Sequence, residues 1–327
     1  VAHGRPIEAM FARPFQVVAG KGGVGRTVVS TALAVRSARQ GMRTLLLEVN
    51  APDNAAQYLG VPAAVDEPRK VLDDLWLCRM TPKGSLREYA LMILKFKALY
   101  NLVFENRLVK YLLRSIPSLA EFTMLGKTWY HSEERLADGS PKYERIIVDA
   151  PATGHAITFL SVARTVADIA PKGIMQDASE KMAELIESKE RSCIHVVTLP
   201  EEMPVNEGLD IVKAAERRLR MTLGVGIVNR MLRPLVQGTD PSLLTRLEAR
   251  GARDPDLSRF AIAGRRTLDR EAWQAGYAAR FEEESRMPIV RVPDFGPTSP
   301  DRKWIEAFAD ELDRAANPGH VKKAVDG

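Results

Sequence analysis

The chain has 327 residues, 45% of them hydrophobic and 27% charged, with 47 basic and 42 acidic side chains and a net charge of +5. That is the composition of a globular protein long enough to bury a full core without staples, and it excludes extended disorder away from the two ends. The positive balance is dispersed among acids, and its densest patches, Arg217-Arg218 with Arg220 and Arg265-Arg266, read as solvated helix faces rather than a nucleic-acid surface.

Residues 1–14 form an N-terminal extension without the long apolar run of a signal peptide. Short apolar runs rich in branched residues then predict strands at 15–19, 44–49, 75–80, 145–149, 194–199, 224–229 and 288–292. Helical periodicity falls between most of them, at 27–40, 86–114, 119–134, 155–170, 177–189, 205–220 and 259–284. The alternation predicts an α/β fold, a doubly wound and mostly parallel sheet flanked by helices, in one domain over 15–316. Runs such as Ile146-Ile147-Val148 predict strands buried on both faces. Two stretches depart from the alternation. Residues 85–134 lack a strand pattern and read as a helical insertion, and 240–285 read as a second helical stretch interrupted by Pro255. Residues 317–327 read as a flexible tail.

The two cysteines, Cys78 and Cys193, stand in apolar runs, which predicts buried free thiols. No Cys-x-x-Cys is present, so a thiolate zinc site is not expected, and a reducing cytoplasm fits. The most apolar region, 89–113, is broken by Lys95, Lys97, Glu105, Arg107 and Lys110, so no integral membrane segment is expected.

The strongest motif is Gly20-Lys21-Gly22-Gly23-Val24-Gly25-Arg26-Thr27, set between a predicted strand and an amphipathic helix. Its glycines let successive N–H groups converge on phosphate oxygens, and the helix that follows points its positive end at the same anion. Gly20, Gly22, Gly23, Val24, Gly25, Arg26, Thr27 and Val28 are therefore the expected nucleotide contacts, with the Thr27 hydroxyl available to Mg²⁺. The usual P-loop has Lys where Arg26 stands. A planar guanidinium does not replace a compact ammonium between phosphates, so binding is expected to survive better than hydrolysis. A second segment, Ile146-Ile147-Val148-Asp149-Ala150-Pro151-Ala152-Thr153-Gly154-His155, ends a strand on an acid that can hold Mg²⁺ through water. It continues into a Pro/Gly turn that a γ-phosphate could order.

These two segments, with Ile227-Val228-Asn229-Arg230, resemble the ArsA-type ATPase family, in matching order across about residues 15–312. The family includes the arsenite-pump ATPase and the targeting factor for tail-anchored membrane proteins. The resemblance implies a P-loop fold and ATP/ADP with Mg²⁺ as cofactors. It implies Asn229 as the adenine contact and a loop at Val292-Pro293-Asp294-Phe295 closing the base site, with Pro293 touching the nucleotide. It also implies that the early Lys21 reaches across a dimer to the partner's nucleotide. Three positions depart from the family pattern. Arg26 is one. In the first switch, Glu48-Val49-Asn50-Ala51-Pro52-Asp53-Asn54-Ala55-Ala56-Gln57, the Mg-side Asp becomes Asn50 and the water-orienting Asp becomes Gln57. Gln can orient water without acting as a base, and Asp53 and Glu48 stand near enough in sequence to compensate.

The expected catalytic set is thus Lys21, Arg26, Gln57 and Asp149, and the expected metal set Thr27 and Asp149. The arsenite pump's cysteines and the eukaryotic factor's zinc-binding Cys-x-x-Cys have no counterpart, which points to a protein client rather than a metalloid. Three readings follow. The first is a slowly hydrolysing dimeric switch. The second is a weakly catalytic regulatory subunit that pairs with an active paralogue. The third is a partitioning or positioning ATPase, against which the segment at 149–155 and Asn229 weigh. The apolar residues of 86–134 read as core, with a dimer surface or client face as alternatives. The last helix, around Trp304, Ile305, Phe308 and Leu312, carries acids on its polar face and reads as core packing rather than a membrane anchor.

Overall fold

The structure is a computed structural model that describes residues 6–52, 54–94, 118–234, 242–251, 254–296 and 300–317. Among these residues eight strands form one sheet: β1 (Phe15–Gly20), β2 (Thr44–Val49), β3 (Arg69–Leu72), β4 (Leu75–Met80), β5 (Arg145–Asp149), β6 (Ser192–Thr198), β7 (Leu223–Met231) and β8 (Ile289–Pro293). Their order is β3-β4-β2-β5-β1-β6-β7-β8, parallel throughout except for the antiparallel β3–β4 pair. The helices are α1 (Pro6–Phe11), α2 (Arg26–Arg39), α3 (Asn54–Leu59), α4 (Pro82–Leu94), α5 (Leu119–Glu133), α6 (Thr153–Ile169), α7 (Ile174–Glu187), α8 (Glu202–Ala214), α9 (Ser242–Gly251), α10 (Pro255–Ser285) and α11 (Arg302–Ala316). A single π-helical turn, Ala215–Leu219, extends α8.

Every residue of β1, β2, β5 and β6 is buried, because helices cover both faces of the sheet. Alternation along each strand sends side chains to two separate cores. Val17, Leu45, Leu47, Ile146 and Val148 pack with α5, α6, α7 and α8 around Phe159. Val18, Leu46 and Ile147 pack on the other side with α2 and α11 around Leu33 and Phe308. The acidic face of α11 is tied to α2 by Arg36–Asp313 and Arg39–Asp310 pairs. The short α1 belongs to this second layer. Met10 is fully buried, and the Phe11 ring lies under the Arg36 and Arg145 guanidinium groups, at 3.7 and 5.3 Å. Both thiols are buried and free, and burial pushes each up to about 12. No described helix is long and apolar enough to cross a membrane.

Several local expectations change. α9 ends at Gly251 and Pro255 begins α10, so the proline divides the 240–285 stretch as expected, with α10 starting four residues ahead of the predicted 259. Pro255 occupies the first turn, where its missing N–H costs nothing, and Asp254 accepts from the Asp256 and Leu257 N–H groups at 3.0 and 3.3 Å. α4 likewise begins at Pro82, not at residue 86, with the Thr81 hydroxyl accepting from the Gly84 N–H at 3.0 Å. The antiparallel β3 and the short α1 and α3 were not expected. Of the insertion at 85–134, α4 and α5 are described, whereas the apolar residues of 95–117 lie outside the described residues, as do Asp53 and the tail from 318 onward.

Candidate functional site

β1 is the centre of the sheet's wiring. It lies between β5 and β6, with Val18 opposite Asp149 and Gly20 opposite Val197. The C-terminal ends of these strands therefore bring residues 20–27 and 149–155 side by side, where open α/β sheets bind ligands. Gly20 is required by close approach, since a Cβ there would stand 2.3 Å from the Val197 carbonyl oxygen. Gly25 precedes α2 with φ at +93°, in the left-handed region. Between them the buried Val24 side chain pins the loop into the core, while Gly22 and Gly23 stay exposed.

Two cavities flank this loop. The larger, about 370 Å³, runs from Gly23, Gly25, Thr27 and Val28 to Asn229, Tyr58, Phe295 and Trp304. Asn229 is buried at the end of β7. Its Nδ2 donates to the Val24 carbonyl at 2.9 Å, and its Oδ1 accepts from the Arg230 N–H at 2.9 Å. The predicted base contact thus also braces the phosphate loop. Phe295, Trp304 and Phe308 form an aromatic wall, with Trp304 and Phe308 stacked at 5.3 Å and 14°. Pro293 ends β8 opposite Met231, and it is Asp294, Phe295 and Gly296 just after it that line the cavity. The last helix packs in the core through Ile305, Phe308 and Leu312 as expected, and also lends Trp304 and Phe308 to this wall.

The smaller cavity, about 310 Å³, lies on the other side of Arg26 and Thr27 and is lined by Asn50, Glu121, Asp149, Ala150 and His155 among others. Asp149 is fully enclosed. Its Oδ2 accepts from the Thr27 hydroxyl at 2.6 Å, and its Oδ1 accepts from the Ser30 hydroxyl at 3.3 Å. Burial raises the Asp149 carboxyl above its usual range, opposed by Arg26 and the two hydroxyls. Arg26 does not project freely into the loop. Its Nη1 donates to the Ala150 carbonyl, and burial pulls the guanidinium below its usual range against the pull of Asp149. The loop is therefore joined to the segment after β5 at two points, Thr27–Asp149 and Arg26–Ala150. Asn50, at the tip of β2, has φ at +48°, and Arg230, at the tip of β7, has φ at +57°, so backbone strain gathers beside both cavities.

Two expected residues stand elsewhere. Gln57 is exposed on α3 and lines neither cavity, whereas Asn54 and Tyr58 of the same helix face the larger one. Glu48 is fully buried and its Oε1 accepts from the Ala55 N–H at 3.0 Å, fixing the start of α3. Lys21 is paired within its own chain to Glu207 of α8. Sequence reasoning missed Ser30, Tyr58 and Glu121. Ser30 carries a local signal, because three residues after Thr27 on a helix it shares the same face. The other two arrive through tertiary packing alone.

Residues 14–177 match the model of the anion-transporting ATPase family. ATPase BagA of Mycobacterium tuberculosis is 30% identical over 225 residues, a match covering 65% of this chain and 64% of that protein. The arsenical pump-driving ATPase of Acidiphilium multivorum is 29% identical over 157 residues, covering 46% of this chain and 25% of that protein. ATPase GET3 of Kluyveromyces lactis is 26% identical over 163 residues, covering 47% of this chain and 46% of that protein. The chain spans just under two thirds of the BagA-type relatives it matches. Because the matched region holds β1, the phosphate loop, the segments at 48–57 and 149–155, and α6, in the order the sheet requires, the chain belongs to the anion-transporting, ArsA-type ATPase family.

Proposed function

We propose that this protein binds Mg-ATP across the two cavities and hydrolyses it slowly, as a dimeric nucleotide switch acting on a protein client. The observation that carries this reading is the double joint between the phosphate loop and the segment after β5, Thr27–Asp149 and Arg26–Ala150. A terminal phosphate entering beside Arg26 competes with the Ala150 carbonyl for the guanidinium. Binding then changes what holds residues 150–155, and loss of the phosphate restores it. The names of the relatives, all ATPases, support the same chemistry.

The loop from Gly20 to Val28 would cradle the phosphates with its N–H groups and the N-terminus of α2. Lys21 and Arg26 would hold charge that develops on the transferred phosphoryl group. The base would lie near Asn229, between Tyr58 and the aromatic wall beyond Pro293. The Thr27 hydroxyl and Asp149 carboxylate fit Mg²⁺ shared with phosphate oxygens, since they present two hard oxygens in contact at 2.6 Å. Bound there, Mg²⁺ would neutralise phosphate charge. Lys21 must leave Glu207 to reach a partner subunit, and a solvent-reachable ion pair of this kind, its side chains 33% and 24% exposed, holds it by about 1 kcal/mol.

The test is Mg-ATP binding and phosphate release by the purified chain, beside Lys21→Ala and Arg26→Lys. Binding with turnover that Lys21→Ala weakens supports a self-sufficient dimer. Binding without turnover, restored by Arg26→Lys or by an added paralogue, makes the chain a regulatory subunit. Absence of nucleotide binding refutes both.

A further inference from the structure

Attack of water on a phosphorus atom is helped by a group that takes its proton; of the residues considered for the water side, Asp53 lies outside the described residues, and the described ones stand elsewhere. Gln57 is exposed and outside both cavities. Glu48 is fully buried and committed to the start of α3. Asp149 accepts from Thr27 and Ser30 on the side assigned to the metal. The lining of the 310 Å³ cavity nevertheless includes a second carboxylate, Glu121.

Glu121 stands in the first turn of α5. Its neighbours Phe122, Met124 and Leu125 are buried in the core beside the sheet, and Met124 lines the same cavity. The carboxylate is therefore carried on a packed helix, which holds a reacting group more accurately than a loop does. Among the described residues the Glu121 side chain makes no hydrogen bond or ion pair. An acid in a first turn also favours the helix dipole, by about 0.3–1 kcal/mol. That benefit does not require it to line a cavity with Arg26, Thr27 and Asp149.

We infer that Glu121 is the general base for hydrolysis, supplied by the helical insertion in a chain that has Gln57 where the family pattern has its water-orienting Asp. The inference rests on the ATPase reading above. In the step, the water oxygen forms a bond to the γ-phosphorus and its proton passes to the Glu121 carboxylate. The bond from that phosphorus to the β,γ-bridging oxygen breaks, and its electron pair leaves on ADP. The proton then returns from Glu121 to the released phosphate.

The experiment measures phosphate release at saturating Mg-ATP, and Mg-ATP affinity separately, for the full chain and for Glu121→Gln, Glu121→Asp, Glu121→Ala and His155→Gln. Glu121→Gln should lower kcat by about 100-fold or more and leave the dissociation constant within about twofold. Glu121→Asp should retain part of the rate, and added formate should restore part of it to Glu121→Ala. Turnover of Glu121→Gln within about threefold of the parent overturns the assignment, as does a rate loss matched by weakened binding or confined to His155→Gln. A parent chain that neither binds nor turns over ATP overturns the ATPase reading itself, which is seen before any Glu121 variant is compared.

Discussion

Gly25→Ala tests the link between the phosphate loop and the end of β7. At φ +93° an L-residue is strained by about 1–2 kcal/mol. The new Cβ would also stand 2.5 Å from the Asn229 Nδ2. Moving that amide loses its bond to the Val24 carbonyl, worth about 1 kcal/mol in a buried setting. The single variant should therefore lose about 2–3 kcal/mol in urea unfolding. Asn229→Ala alone should lose about 1–2 kcal/mol, since it deletes both amide bonds. In the double variant the clash has no amide to meet. Its loss should fall short of the sum of the singles by about 1 kcal/mol. Gly22→Ala, whose Cβ would meet nothing within 4 Å, is the control and should stay within about 0.5 kcal/mol. Additive losses, or a Gly25→Ala protein as stable as the parent, would refute the coupling.

Asp149→Asn should stabilise the protein while removing Mg-ATP binding. Because burial raises the folded-state value, Asp149 contributes stability that is complete below its ordinary value of 3.8 and lost as pH rises through the folded value. The amide keeps a hydrogen-bond partner for Thr27 without a buried charge. It should gain roughly 0.5–2 kcal/mol at neutral pH, and the gain should vanish in acid, as followed by thermal unfolding across pH. Trp304→Phe should remove most of any ATP-induced change in tryptophan emission, because Trp76, Trp129 and Trp273 line neither cavity. Loss of its stacking and indole N–H should weaken ATP about fivefold, near 1 kcal/mol; an unchanged emission response would place the base elsewhere. Glu207→Gln should alter stability by less than about 1 kcal/mol and, by releasing Lys21, raise the fraction of dimer seen by light scattering with Mg-ATP. A reduced fraction would show that Glu207 positions Lys21 instead of restraining it.

The phosphate loop was legible because its geometry forces residue type. Gly20 lies against the Val197 carbonyl and Gly25 needs a left-handed backbone, and few residues meet either demand. The central strands were legible for the same kind of reason, since burial on both faces leaves unbroken apolar runs such as 146–148. β3 was not. It has four residues, Arg69 and Lys70 are exposed, and among the described residues it pairs with β4 alone, so nothing in its pattern marks a strand. α3 was hidden because its cap is the Glu48 carboxylate seven residues earlier, outside any local capping pattern. In the site, sequence order could bring the loop to Asp149, but Tyr58, Glu121 and Trp304 reach the cavities only through packing between elements far apart in the chain. The family pattern puts Gln57 at the water position because the segment 48–57 has the family's length. The rotation of α3 sends Asn54 and Tyr58 inward instead.

The antiparallel β3 has a consequence for assembly. A parallel sheet ending on β4 would offer a long row of unpaired backbone groups to any other extended chain. Four residues running the opposite way, irregular between Lys70 and Leu72 and bearing Arg69 and Lys70 outward, make that border short, uneven and cationic. Ribbon-like polymerisation by strand addition is thereby discouraged along this border.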